Sequence, residues 1–175
     1  RIYEAAFKRA GILRVNEFEA LFDCAEFLAK QQRPRGSRLA IVSNARGIGE
    51  LARDALVRHG LSPAALDAAT IQKLDILLPD GWSRTNPIAL LRAATPQQYV
   101  EVVKLCIQAP EIDGLLLLSS PVGIYDCSAI ARPLVTLLET TPFPVFTAWL
   151  GGMTIDASRE IFNRHGIVTY DTPER

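Results

Sequence analysis

Short apolar runs that alternate with helical patterns constrain the fold of this chain more than any other feature. The longest runs lie at residues 39–43, 88–91, 114–119 and 145–150. Continuous apolar runs of this length are typical of parallel strands that are buried on both faces. Because helical patterns separate the runs, they predict an α/β fold, a three-layer sandwich with right-handed crossovers. Shorter segments at 64–66 and 167–170 are further strand candidates. A total of about five strands favours a flavodoxin-like order over the classic dinucleotide-binding order.

The first 31 residues predict a separate helix-strand-helix unit. Apolar residues at helical spacing precede Gly11, residues 12–15 alternate like a strand, and Asn16 can cap a second helix. A polar stretch at 32–37 with two helix breakers then predicts a linker, so that the main domain covers 38–175. The small unit cannot bury a core alone, and we expect it to pack on the main domain or on a second copy of the chain.

Composition excludes several function classes. The formal net charge is zero, so no nucleic-acid partner is expected. No apolar run approaches the roughly 20 residues that cross a bilayer, and there is no secretory signal pattern, so a cytoplasmic protein without a membrane partner is expected. Three widely spaced cysteines and two histidines predict reduced thiols and no metal site. The absence of an initial methionine and the helix-cap pattern at 170–175 predict a fragment of a longer polypeptide.

Small and polar residues follow the predicted strands, at the sheet edge where open parallel sheets bind ligands. The first such loop contains Asn44, Arg46, Gly47 and Gly49 and leads directly into a helix. Free N–H groups at a helix start attract anions, so this loop is a candidate phosphate site. A glycine turn of this kind serves plain strand-helix packing at least as often.

Two further loops complete the predicted site. Asn86 precedes the second long strand, and Thr95 stands before Pro96 at the start of the next helix, although Thr95 can equally be a plain helix cap. The predicted anion-binding N–H groups are those of 47–49 and 95–97. Ser119, Ser120 and Gly123 follow the central strand and suit an oxyanion. No Gly-x-Ser-x-Gly elbow is present, so no catalytic residue is predicted.

In this order the segments resemble the succinyl-CoA-ligase-like flavodoxin domain of NDP(ADP)-forming acyl-CoA synthetases. They resemble even more the version in bacterial Pat-type protein lysine acetyltransferases. The resemblance rests on the loop at 43–49, on Asn86-Pro87 with the segment 94–96, and on Trp82-Ser83 before Asn-Pro. It implies that residues 1–31 end a preceding ligase domain. It also implies that the parent uses CoA and ATP/ADP, that this fragment holds no cofactor itself, and that the helix starts help to cradle a phosphohistidine.

The chain departs from the family pattern at several positions. Ala45 and Arg46 replace two glycines, and Ala89 and Ala93 stand where aspartates are usual. Arg92 also replaces a glycine, and Ile48 replaces a proline. These departures favour a degenerate CoA-ligase module, inactive in isolation, with a regulatory or structural role in a protein lysine acetyltransferase.

Two other functions stay open at this point. One is the phosphate-binding domain of an active ADP-forming acetyl- or acyl-CoA synthetase. The other is a flavodoxin-like binder of another nucleotide, which needs aromatic residues beside a flavin that the sequence does not offer. The expected partners are other domains of the same polypeptide, with a homodimer as a further option.

Overall fold

The computed structural model describes residues 2–90, 94–122, 124–141 and 143–175. In this part of the chain, seven α-helices and one short 3-10 helix accompany five strands. The helices are α1 (Ile2–Arg9), α2 (Phe18–Lys30), α3 (Arg46–Arg58), α4 (Ala68–Leu77), α5 (Pro96–Gln108), α6 (Cys127–Thr140) and α7 (Asp156–Arg164). The strands are β1 (Leu39–Ser43), β2 (Ile88–Ala89), β3 (Gly114–Ser119), β4 (Val145–Trp149) and β5 (Thr169–Tyr170), and the 3-10 helix is Gly152–Ile155.

The five strands form one parallel sheet in the order β2-β1-β3-β4-β5. This is the flavodoxin-like order, so the predicted fold class is confirmed. In the register of the sheet, Val42 pairs with both Ile88 and Leu117. All strands therefore end at one edge of the sheet.

The predicted strand at 64–66 does not form. Ala64 donates one backbone hydrogen bond to Leu39 (2.8 Å), and the contact with β1 is a single isolated bridge. The reason is the Asn86 side chain, which takes the next pairing positions on β1. Its Oδ1 accepts from the Ile41 N–H (2.9 Å), and its Nδ2 donates to the carbonyl oxygens of Leu39 (2.9 Å) and Ala64 (3.0 Å).

Each face of the sheet has its own apolar layer. On one face, Val42 and Leu117 pack in the large core together with buried residues of α4, α5, α6 and α7. On the other face, a smaller cluster joins Ile41 and Leu118 to Ala52 of α3. Strand side chains alternate between the two faces, so α3 and α5 lie on opposite sides of the sheet.

Helix α2 packs on the sheet rather than standing apart. Phe27 is buried and stacks on Phe146 of β4, with ring centroids 4.4 Å apart and ring planes within 8°. The Arg175 guanidinium donates to both oxygens of Asp23, at 2.6 and 3.1 Å. Helix α2 therefore packs on the main domain within the same chain, whereas α1 has no buried residue.

The strand predicted at 12–15 is wrong. Gly11 adopts φ of 69°, and the Ile12 N–H bonds the Phe7 carbonyl (2.8 Å), which closes α1 in a Schellman motif. Residues 12–15 then run on without any β-pairing among the described residues. Helix α2 also begins without Asn16, because Glu17 stands at its N-cap and makes no side-chain bond.

The stretch 32–37, predicted as a linker, contains neither helix nor strand, and its Gly36 approaches Asp113, the residue before β3. A Cβ at Gly36 would lie 2.3 Å from Oδ2 of Asp113, so any larger residue there would displace that carboxylate. Arg38 donates to both oxygens of Asp113 at 2.8 Å, and these bonds hold the pKa of that carboxyl at about 2. The domain boundary at this stretch stays a prediction.

Candidate functional site

A small cavity of about 80 Å³ lies at the carboxyl edge of the sheet, beside the ends of β1 and β2 and the start of α3. Its walls are Ser43, Arg46, Gly49, Glu50, Ser83, Pro87 and Ala89. A water molecule takes up roughly 30 Å³ in the liquid, so the cavity has room for a small tetrahedral anion. We call this cavity the α3 pocket.

The start of α3 leaves its first N–H groups free of side-chain caps. Ala45 occupies the N-cap with extended backbone and makes no side-chain bond. The Ser43 hydroxyl turns back on the same loop, where it accepts from the Ala45 N–H (3.1 Å) and donates to the Ala45 carbonyl (2.7 Å). A Cβ at Gly49 would approach Pro87 to 3.1 Å, so glycine lets α3 lie close to the loop before β2.

The charges at the pocket favour an anion. Arg46 is exposed, and no carboxylate of the described chain pairs with its guanidinium. Glu50 also lines the pocket, but Arg53 binds its Oε2 at 3.0 Å and offsets its charge. The free cation and the uncapped helix start therefore give this end of the pocket a net positive field.

The Asn44 side chain has a structural role, because its amide bonds to the backbone of another loop. Its Nδ2 donates to the Ser120 carbonyl (2.7 Å) and its Oδ1 accepts from the Ser120 N–H (3.0 Å), so its amide joins the loops after β1 and β3. This clamp places Ser120 next to the start of α3. The Ser120 hydroxyl is buried and has no hydrogen-bond partner within the described chain. A buried hydroxyl of this kind needs a partner, such as a ligand or water.

Asn86 and Thr95 also bond to the backbone. All the polar groups of the Asn86 amide face β1 and Ala64, as described above. Thr95 accepts from the Gln98 N–H (3.1 Å), while the Gln98 side chain accepts from the Thr95 N–H (2.9 Å), which completes a capping box. Helix α5 lies on the face opposite α3, and Thr95 does not line the α3 pocket.

Ser119 is buried and donates a weak bond to the Cys127 thiol (3.6 Å). Burial raises the pKa of Cys127, and no histidine of the described chain bonds either group. Gly47 is exposed at the first turn of α3 and does not line the α3 pocket. Gly123, Arg92 and Ala93 lie outside the described residues.

The α3 pocket thus contains two of the predicted phosphate-binding residues, Arg46 and Gly49. Sequence reasoning did not select Ser83, although it lies in the Trp82-Ser83 pair that carried part of the resemblance.

None of the helices in the described chain is long and apolar enough to span a membrane. The described acidic, histidine and cysteine side chains form no cluster of three that could hold a metal ion.

Comparison with known proteins gives relatives over nearly the whole chain. It is 30% identical to the alpha subunit of ADP-forming acetate–CoA ligase II of Pyrococcus furiosus, across 99% of this chain and 39% of that subunit. It is also 30% identical to the ADP-forming acetate–CoA ligase of Methanocaldococcus jannaschii, across 99% of this chain and 25% of that protein. No protein-family model matches the chain.

A solved structure has the same fold. Acetyl-coenzyme A synthetase 1 of Ca. Korarchaeum cryptofilum superposes with a TM-score of 0.90 at 27% identity, over 99% of this chain and 38% of that one. It has been solved in the apo form and in complex with phosphate and ADP. These relatives extend well beyond the matched region, which is consistent with other domains as partners. The chain is homologous to the CoA-ligase domain of ADP-forming acetyl-CoA synthetases, in the region of their alpha subunit.

Proposed function

We propose that the chain is a degenerate CoA-ligase module that binds one phosphate-sized anion in the α3 pocket. The observation that carries this proposal is the pocket itself, a cavity of about 80 Å³ at an uncapped helix start whose first residue is the unpaired Arg46. Helix N-termini with a nearby guanidinium are general anion sites. The complex of the Korarchaeum relative with phosphate and ADP supports the same ligand class.

Two departures from the family pattern support the degenerate assignment. Ala89 ends β2 and lines the pocket where an aspartate is usual, so no carboxylate from that position can orient a phosphorylated histidine. Arg46 adds a long side chain at the helix start where a glycine is usual. We propose that the anion is held here without turnover, and that CoA and ATP or ADP bind other domains of the parent.

The same departures lead us to propose that the parent is a protein lysine acetyltransferase in which this module is regulatory or structural. Trp82-Ser83 before Asn86-Pro87 supports that branch. The alternative is an active ADP-forming acetyl- or acyl-CoA synthetase. The match of Asn86-Pro87 and Thr95-Pro96 to the family pattern, at a helix start that the resemblance assigns to phosphohistidine, favours this alternative.

Two assays on the full-length protein encoded by the gene separate these functions. We expect no acetate-dependent consumption of CoA with release of ADP from ATP, and we expect transfer of acetyl groups from acetyl-CoA to lysine side chains. Reactions that lack acetate serve as the control for background ATP hydrolysis. Acetate-dependent CoA consumption with stoichiometric ADP would establish the synthetase alternative and overturn the degenerate assignment. The isolated 175-residue chain should be inactive in both assays.

A further inference from the structure

We propose that residues 2–30 are a docking element for another domain of the same polypeptide. Residues 12–15 add a strand to an open sheet edge of that domain, and the outer side of α2 packs against it. This inference does not depend on the α3 pocket or on a bound anion. It starts from the part of the chain that the fold covers least, since α1 has no buried residue and residues 12–15 form neither helix nor strand.

Helix α2 is apolar on two opposite sides. One side packs on β4 through Phe27, which is buried. On the opposite side, exposed apolar residues recur at helical spacing with no charged residue among them, and we call this set the outer stripe: Phe18, Leu21, Phe22, Ala25, Leu28 and Ala29. The Phe18 and Phe22 rings meet edge to face, with their centroids 5.0 Å apart. A helix that is apolar on all sides belongs between two packed layers, so a second layer is expected over the outer stripe.

The outer stripe has the size of an interaction site. Phe18 is 75% exposed and Phe22 is 61% exposed. A phenylalanine side chain can bury roughly 200 Å², so these two rings alone leave roughly 250 Å² uncovered. Leu21 and Leu28, each about half exposed, bring the stripe into the range of about 300–600 Å² that is often functional. Helix α3, on the same face of the sheet, instead presents charged residues to solvent at 53, 54 and 58.

Residues 12–15 have the sequence pattern of a strand but lack a neighbour. The N–H groups of Leu13, Arg14 and Val15 make no hydrogen bond within the described chain. The side chains of Ile12 and Leu13 are more than half exposed. Helices α1 and α2 flank the segment, in the alternating order that accompanies a parallel sheet. Unpaired backbone groups of this kind are a template for strand addition to another sheet.

The lengths of the strands favour another domain over a second copy as the partner. The outer strands of this sheet, β2 and β5, have two residues each, too few to pair with a four-residue strand. Pairing of 12–15 with itself across a dimer gives a two-stranded ribbon, which is marginally stable in water. The relatives contain more chain, since the matched region is 39% of the Pyrococcus subunit and 38% of the Korarchaeum chain. A longer parent of that kind supplies the missing sheet edge.

The test is hydrogen–deuterium exchange of the full-length protein encoded by the gene, compared with the 175-residue chain. We expect the amides of 13–15 to exchange at least about tenfold more slowly in the full-length protein, because strand pairing protects backbone N–H groups. The amides of 40–42 in β1 are paired in both proteins and should be protected in both, which shows that each protein is folded.

Variants of the outer stripe test the second part of the docking element. Phe22→Asp in the full-length protein should remove most of the protection at 13–15, because it places a carboxylate at the proposed contact. Leu28→Asp on the same stripe replaces it if the amides of 40–42 show that the variant is unfolded. The matched control is Val57→Asp on α3, where the side chain is 57% exposed, and it should leave the protection unchanged.

The outcomes separate the possible partners. Fast exchange of 13–15 in both proteins, or protection that the stripe variants do not lower, would overturn the docking element. Protection that is already present in the 175-residue chain and is lost in Phe22→Asp would identify a second copy as the partner and overturn the inference. None of these measurements involves phosphate, so failure of the docking element is distinguishable from failure of the proposed anion site.

Discussion

Replacing Asn86 with alanine is expected to destabilise the domain by about 3 kcal/mol, because each buried backbone group left unpaired costs about 1–3 kcal/mol. The amide pairs with the Ile41 N–H and the Ala64 carbonyl, and it adds a second bond to the Leu39 carbonyl, which also accepts from the Ala64 N–H. Alanine can replace none of these bonds. Unfolding in urea, followed by circular dichroism, measures the change in the free energy of unfolding.

The control for this prediction keeps the shape of the side chain. In Asn86→Asp the acceptor for the Ile41 N–H remains, while both donated bonds are lost, so a loss close to that of alanine is expected. A loss below 1 kcal/mol for Asn86→Ala would mean that water replaces the amide. In that case Asn86 would be free to contact a ligand, as the sequence pattern predicts.

Replacing Phe27 with alanine is expected to cost about 3 kcal/mol, at the lower end for a buried phenylalanine. Its ring is buried against Phe146 and covers β4 on the α3 side of the sheet. The same denaturation experiment measures the effect. Phe22→Ala, on the same helix but 61% exposed, is the matched control and should change stability by no more than about 0.5 kcal/mol.

The comparison of the two phenylalanines also tests the predicted domain boundary. A large loss for Phe27→Ala makes α2 part of the main fold, although the sequence pattern places the boundary at 32–37. Equal and small effects for both variants would contradict the packing described here. They would leave 38–175 as the independent unit that the linker pattern predicts.

Much of the fold could be predicted because its signals are local. The bounds of β1 and β3 follow from continuous apolar runs, and the cap at Thr95 follows from a hydroxyl before proline. The failure at 12–15 has a physical cause. Alternation reports which side chains are apolar, but a strand also needs a neighbour, and none of the described strands lies beside this segment.

The candidate site was less predictable, because the type of a residue does not reveal which groups its side chain forms hydrogen bonds with. Asn44 and Asn86 have the side chains of anion ligands, yet their amides bond to distant backbone groups of Ser120 and of β1. The Trp82 indole donates to Asp75, which is seven residues earlier and comes close because α4 folds back on the loop. Contacts of this kind arise from tertiary packing and leave no periodic trace in a sequence.

Titration of inorganic phosphate into the ¹⁵N-labelled chain, followed by amide NMR, tests the α3 pocket most directly. Arg46→Gln should weaken the response, while Arg58→Gln at the far end of α3 should leave it unchanged. We predict that the amide signals of 47–49 and of Ser83 shift first and together. Shifts that cluster away from the start of α3, or no shifts at millimolar phosphate, would contradict the anion site.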